Sequence, residues 1–408
     1  MTDRPRTNKP ANTLSNTRPN TRPNSRTGTS DLRGAARLAA DATAGLTGLV
    51  EAVHARIGSL PGGTPRDERT RGITGLVYKT IRGVTRLAGG GVDALFGALP
   101  LGADAGLPSP EREAVVAALN GVLGDHLEAR ANPLATPMAL RSEGRALPLD
   151  DKAALAARLP DAGAKLLVLL HGLCMNDLQW QRDGHDHGAL LARELGYTPI
   201  YLHYNSGRPI SANGRDFGAL MGQLVAAWPR PLERLVMLGH SMGGLVARSA
   251  LHQAPQAGQA WAERVDDLVC LGTPHHGAPL ERAGHGIDIL LGAAPYAAPF
   301  ARLSRLRSAG ITDLRHGRLL HPDPAFVALP RGVRCFAMAS TLGERPGDLK
   351  DSLLGDGLVP LDSALGRHAD PARTLAFEAE RQWVGHGIGH LQLLSDAGGA
   401  AQLRRWLE

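Results

Sequence analysis

Cysteine is scarce in this chain, and the three it has, Cys174, Cys270 and Cys335, stand far apart. An odd, scattered set builds no disulfide framework, and the lack of any Cys-x-x-Cys pair removes the common zinc-binding patterns. A reducing compartment is therefore expected. Aromatic residues make up only 4% of the 408, so aliphatic side chains must dominate the packing. At 43% hydrophobic the chain still has enough apolar material for a large core. Long apolar runs are missing. Ala88–Leu107 is interrupted by Asp93, Pro100 and Asp104, and Ile289–Ala301 is too short to cross a bilayer. Residues 1–30 lack the apolar stretch of a secretory signal. These absences together lead us to expect a soluble, cytoplasmic protein.

An excess of either charge is also nearly missing once the N-terminus is set aside. The formal net charge is +6, but Arg4, Arg6, Lys9, Arg18, Arg22 and Arg26 against Asp3 account for most of it. The near-neutral remainder excludes a basic nucleic-acid-binding body. Residues 1–30 also hold a tandem repeat, Thr17-Arg18-Pro19-Asn20 and Thr21-Arg22-Pro23-Asn24. Such a polar, proline-spaced tail is expected to be disordered. Residues 31–130 turn helical, with apolar spacings of three and four in three stretches, the last two Thr70–Leu87 and Pro110–His126. Arg71, Lys79, Arg82 and Arg86 oppose the apolar stripe of Thr70–Leu87. That pattern suits an ordinary packed helix or peripheral contact with a membrane or lipid surface.

Beyond residue 130 strand and helix patterns alternate. Lys165–Leu170 is a nearly continuous aliphatic run, as a strand buried on both faces requires. Strand patterns recur at Pro199–His203, Leu235–Leu238, Asp267–Leu271 and Arg334–Ala339, with helical stretches between the first four. The expectation is an α/β fold over residues 131–408, a mostly parallel sheet with helices on both faces. The stretch from about 278 to 332 is too long for a simple connection and reads as a cap or lid insertion. Its Ile287, Ile289, Leu290, Leu291, Tyr296 and Phe300 would suit a greasy substrate, or a helix packed on the core.

Gly239-His240-Ser241-Met242-Gly243 carries the chemistry. A G-x-S-x-G turn between a strand and a helix lifts a serine hydroxyl above the sheet edge on a strained backbone. Gly239 and Gly243 leave room for that turn. A hydroxyl is a weak nucleophile and needs a base oriented by an acid, in the chain order serine, acid, histidine. Asp356, in the Gly355–Pro360 turn, is favoured as the acid over Asp351 and Asp362. His390, expected to open the last helix after a strand-like Arg373–Val384, is favoured as the base over His386. The backbone N–H groups of Leu173 and Met242 are the expected oxyanion donors. Cys174 is expected to be a small core residue. Asp183, His185, Asp186 and His187 are consecutive enough that a structural role is favoured over a metal site. No metal or organic cofactor is expected.

Five segments in order, His171–Asp177 (HGLCMND), Gly239–Gly244 (GHSMGG), Leu271–Pro279 (LGTPHHGAP), Gly355–Pro360 (GDGLVP) and Gly389–Leu394 (GHLQLL), resemble the serine esterase and lipase branch of the α/β-hydrolase superfamily. Within it the likeness is to bacterial lipase-like and PGAP1-like (GPI inositol-deacylase-like) esterases, over residues 160–408. The resemblance implies a triad of Ser241, Asp356 and His390, an oxyanion N–H at Leu173, and hydrolysis of a carboxylic, lipophilic ester through an acyl-enzyme. Acyl transfer or lipid remodelling on the same fold, and a non-catalytic lipid-associated role, are the alternatives. Serine at the elbow separates the chain from relatives of this fold that place Asp or Cys there.

Overall fold

The computed structural model describes residues 110–279, 308–346 apart from 323 and 325, 348, and 355–408. The basic tail, the first two expected helices and most of the expected lid lie outside them.

The described chain opens with helix α1 (Pro110–Ala129). Strands β1 (Ala139–Ser142) and β2 (Arg145–Ala146) follow as a tight hairpin. Its two turn residues, Glu143 and Gly144, both have positive φ, the hand that matches strand twist. Helix α2 (Lys152–Arg158) is capped by the Asp151 carboxylate, and β3 (Lys165–Leu170) comes next. From there the alternation runs through α3 (His187–Leu195), β4 (Tyr197–His203), α4 (Ile210–Ala227), β5 (Arg234–His240), α5 (Met242–Gln256) and β6 (Asp267–Leu271). Helix α6 (Ala309–His316), β7 (Arg334–Thr341), the short α7 (Leu361–Ala364), β8 (Gln382–His386) and α8 (Ala397–Leu407) complete it.

The strands form one sheet in the order β2-β1-β4-β3-β5-β6-β7-β8. β1 runs antiparallel to β2 and β4, and every pair from β4 to β8 is parallel. The aliphatic run of β3 explains its central place. Leu166, Val168 and Leu170 belong to a core shared with α1, α4 and α5, while Leu167 and Leu169 belong to a second core with α3 and α8. The period-two alternation of a strand divides them this way, one set to each face.

Two expectations meet a different structure, and one of two readings of the insertion gains a described helix. The helix at Pro110–His126, taken with the N-terminal region 31–130, packs into the main core through Val115, Leu119 and Val122. It is part of the body, because its apolar side has sheet and helix to cover it. The strand-like Arg373–Val384 is mostly two short turns, Pro371–Arg373 and Ala379–Arg381, with the strand beginning only at Gln382. Within the 278–332 insertion, α6 docks on the body with Ile311 and Leu314 buried in the core. Ser308 Oγ donates to the Gly121 carbonyl at 2.7 Å, and the Asp125 carboxylate accepts from the Ala309 N–H at 2.8 Å, tying α6 to α1.

Candidate active site

Ser241 stands alone between β5 and α5, with φ 53° and ψ −121°. A residue with a Cβ rarely holds that conformation, so the surroundings must impose it. Its N–H donates to the Leu271 carbonyl at 2.8 Å, tying the turn to the end of β6. Close packing does the rest. A Cβ on Gly243 would overlap the Leu170 carbonyl, and one on Gly239 would overlap the Gly244 amide.

Asp356 sits in the turn expected for it, its carboxylate wholly enclosed. Oδ1 accepts the N–H groups of Leu358 (3.0 Å) and Val359 (2.8 Å). Oδ2 accepts the Nδ1–H of His390 at 2.7 Å, and the His390 N–H donates to the Asp356 carbonyl at 3.0 Å. With its proton on Nδ1, the imidazole keeps its lone pair on Nε2. That Nε2 and Ser241 Oγ are both buried, and neither has a hydrogen-bond partner among the described residues. The two groups lie at the same strand ends. A Cβ on Gly272, the residue after Leu271, would come within 3.1 Å of His390 Cε1. His240, beside Ser241 in sequence, donates its Nε2–H to the His390 carbonyl at 3.2 Å, with the two rings 4.8 Å apart. No hydrogen bond joins Ser241 Oγ to His390 Nε2 in this structure.

The rivals are placed elsewhere. Asp362 is exposed and 3.8 Å from Arg367, and Asp351 lies outside the described residues. His386 is half-buried on β8, with no acidic partner among the described residues. His390 does not open the last helix. α8 starts at Ala397 behind an Asp396 cap, and His390 precedes a short turn, Gln392–Leu394. Its two hydrogen bonds to Asp356 fix the loop there instead.

The loop after β3 lies against the elbow. A Cβ on Gly172 would meet Ser241 Cβ at 3.1 Å and His240 Nδ1 at 3.2 Å. The N–H groups of Leu173 and Met242 are buried, and neither has an acceptor among the described residues. Supports that the sequence did not announce hold this loop. Tyr204 OH donates to the His171 carbonyl at 2.8 Å, with the Tyr204 ring stacked on His171. The Cys174 N–H donates to Ser206 Oγ at 3.1 Å. Helix α1 presses on the same loop, where a Cβ on Gly121 would strike Cys174, and on the segment after β4, where one on Gly124 would strike Asn205. Those helix-interior glycines are the trace of it in the sequence. The Cys174 thiol is buried, which pushes its pKa up to about 12 and leaves it a poor nucleophile.

The histidine-rich segment is structural in its contacts. Asp186 caps α3 and accepts from Tyr201 OH at 2.8 Å, while His187 Nε2–H donates to the Leu393 carbonyl at 2.9 Å. Glu113, Asp177 and His203 also come together. Arg141 lies 3.2 Å from both carboxylates and already supplies a positive charge there.

A family model described as PGAP1-like alpha/beta domain matches residues 220–326, which include β5, the elbow and β6. An antiparallel leading strand, parallel strands crossing at the centre and a serine elbow after β5 decide the architecture. The chain has the α/β-hydrolase fold. Among solved structures it is similar to the mature Bacillus licheniformis lipase BlEst2, at 19% identity and a TM-score of 0.39 over 60% of this chain and 90% of that one. It is also similar to the NocB thioesterase domain in covalent complex with a fluorophosphonate nocardicin G analog (16%, TM-score 0.38, 61% and 97%). A third is a Pyrobaculum calidifontis esterase (13%, TM-score 0.40, 60% and 74%). No curated protein matches the chain. No helix among the described residues of this α/β-hydrolase fold is long and apolar enough to cross a membrane.

Proposed function

We propose that the protein is a serine-dependent carboxylic-ester hydrolase that works through an acyl-enzyme on a lipophilic ester. The observation that carries this is the buried His390–Asp356 pair, with its free Nε2 lone pair at the strand ends that hold the Ser241 elbow. His390 takes the Ser241 proton as the hydroxyl oxygen attacks the ester carbonyl. The tetrahedral oxyanion draws on the Leu173 and Met242 N–H groups, one of which is typically worth about 3–4 kcal/mol at the transition state. The imidazolium then protonates the leaving alcohol, and Asp356 holds the Nδ1–H throughout. Water, deprotonated by the same His390 Nε2, attacks the acyl-serine and releases the acid. The apolar residues of segment 287–300 support a greasy acyl or alcohol group.

The test is turnover of p-nitrophenyl esters of increasing acyl length, with Ser241→Ala as the blank. A burst of nitrophenol equal to the enzyme concentration, then a slower steady rate that rises with chain length, is expected. Hydrolysis equal in wild type and Ser241→Ala would overturn the proposal.

A further inference from the structure

A pocket of about 250 Å³ opens between α5, the loop after β6 and the segment that follows α6. Ser241, Asp356 and His390 do not line it. Arg248, His275, His276, His316 and Arg373 do, beside Leu319, Phe326 and Val327, and no carboxylate is among its described lining residues. Arg248 reaches it from α5, two turns beyond the elbow, and is only 3% exposed. One guanidinium nitrogen donates to the Val327 carbonyl at 2.6 Å and another to His275 Nδ1 at 3.1 Å, while Nε has no partner. No ion pair compensates Arg248 among the described residues. A buried cation without a counter-ion is costly, and proteins seldom leave one so.

The neighbours deepen the imbalance. The charges that reach His275 come from Arg248 and His276, and those that reach His276 come from His368, Arg248 and Arg373. All of these are basic. Burial holds His275 neutral, well below its ordinary pKa. Because its Nδ1 accepts from Arg248, its proton sits on Nε2, a buried donor with no acceptor. The backbone around the site is firmly placed. The N–H of His275 donates to the Ser363 carbonyl at 3.1 Å, and that of His276 to Ser363 Oγ at 3.1 Å.

We propose that this pocket is a binding site for a small oxyanion, a phosphate or carboxylate group, separate from the catalytic serine. Arg248 is its buried counter-ion, and His316 and Arg373 are its exposed rim.

The experiment titrates the full chain with inorganic phosphate against chloride at matched ionic strength and reads the thermal unfolding midpoint. A saturable rise is expected in wild type and equally in Ser241→Ala, and none in Arg248→Met. Arg373→Gln, altered only at the exposed rim, keeps the wild-type midpoint in chloride but needs about threefold to tenfold more phosphate for the same rise. Glycerol phosphate acting at lower concentration than inorganic phosphate marks the ligand as a group on a larger molecule, and the reverse order marks a free ion. No rise above chloride in wild type, or a rise that Arg248→Met and Arg373→Gln both retain, would overturn the site.

Discussion

Replacing Asp356 with Asn changes one atom at the centre of the site. The amide oxygen can still accept the Leu358 and Val359 N–H groups, now held at 3.0 and 2.8 Å, so the turn should survive. The other arm, which accepts the His390 Nδ1–H at 2.7 Å, becomes an NH2 donor. His390 must then present an Nδ1 lone pair to it and carry its proton on Nε2. That tautomer cannot take the Ser241 proton. The comparable change in a serine–histidine–aspartate site lowers kcat by about 10⁴, or about 5.4 kcal/mol of transition-state stabilisation. The assay is steady-state hydrolysis of the best p-nitrophenyl ester, with the Ser241→Ala rate subtracted and folding checked by thermal unfolding. A folded Asp356→Asn enzyme that keeps a tenth or more of wild-type kcat would refute the reasoning. So would an equal loss in Asp362→Asn, whose carboxylate is exposed.

Gly243→Ala pushes a methyl group into the Leu170 carbonyl, so a loss of about 3 kcal/mol or more in denaturant stability is expected; a wild-type midpoint would contradict the elbow's packing. His240→Ala removes the donor to the His390 carbonyl, and a fall of about tenfold in kcat with little change in KM is expected; unchanged kcat would deny His240 a positioning role. Burial lowers His187 to about 4 and His171 to about 3, both below the ordinary 6.5, so the unfolded chain takes up protons first as pH falls. Stability from these rings is intact above pH 6.5 and declines from 6.5 towards 4, by about 1.4 kcal/mol per pH unit for each ring. Urea unfolding between pH 7.5 and 4.5 measures this, and His187→Gln should remove about one ring's share of the slope; an unaltered slope would contradict the assignment.

What the sequence disclosed was local. The β3 run, Lys165–Leu170, announced a strand buried on both faces because its hydrophobicity needs no partner to be seen. The Gly239–Gly243 pattern announced the elbow because only small residues tolerate that turn. Asp356 and His390 could be ranked against Asp351, Asp362 and His386 from their settings, but only chain order and the family resemblance join them, since the contact between them spans residues that no local pattern links. The same limit hid Tyr204 and α1 behind the loop that follows β3. It also hid Arg248, which reads as an ordinary polar residue of an amphipathic helix until the loop at His275 and the Val327 carbonyl are folded over it. The sequence pattern places His390 at the start of the last helix, but Leu391, Leu393 and Leu394 pack around a short turn ahead of α8.

The most direct measurement is the site of covalent labelling by a fluorophosphonate, read by intact mass and peptide mapping of the full chain. The account expects a single adduct on Ser241 that is absent in Ser241→Ala and forms far more slowly when His390 is replaced by Ala. An adduct on another residue, or equal labelling of wild type and Ser241→Ala, would contradict it.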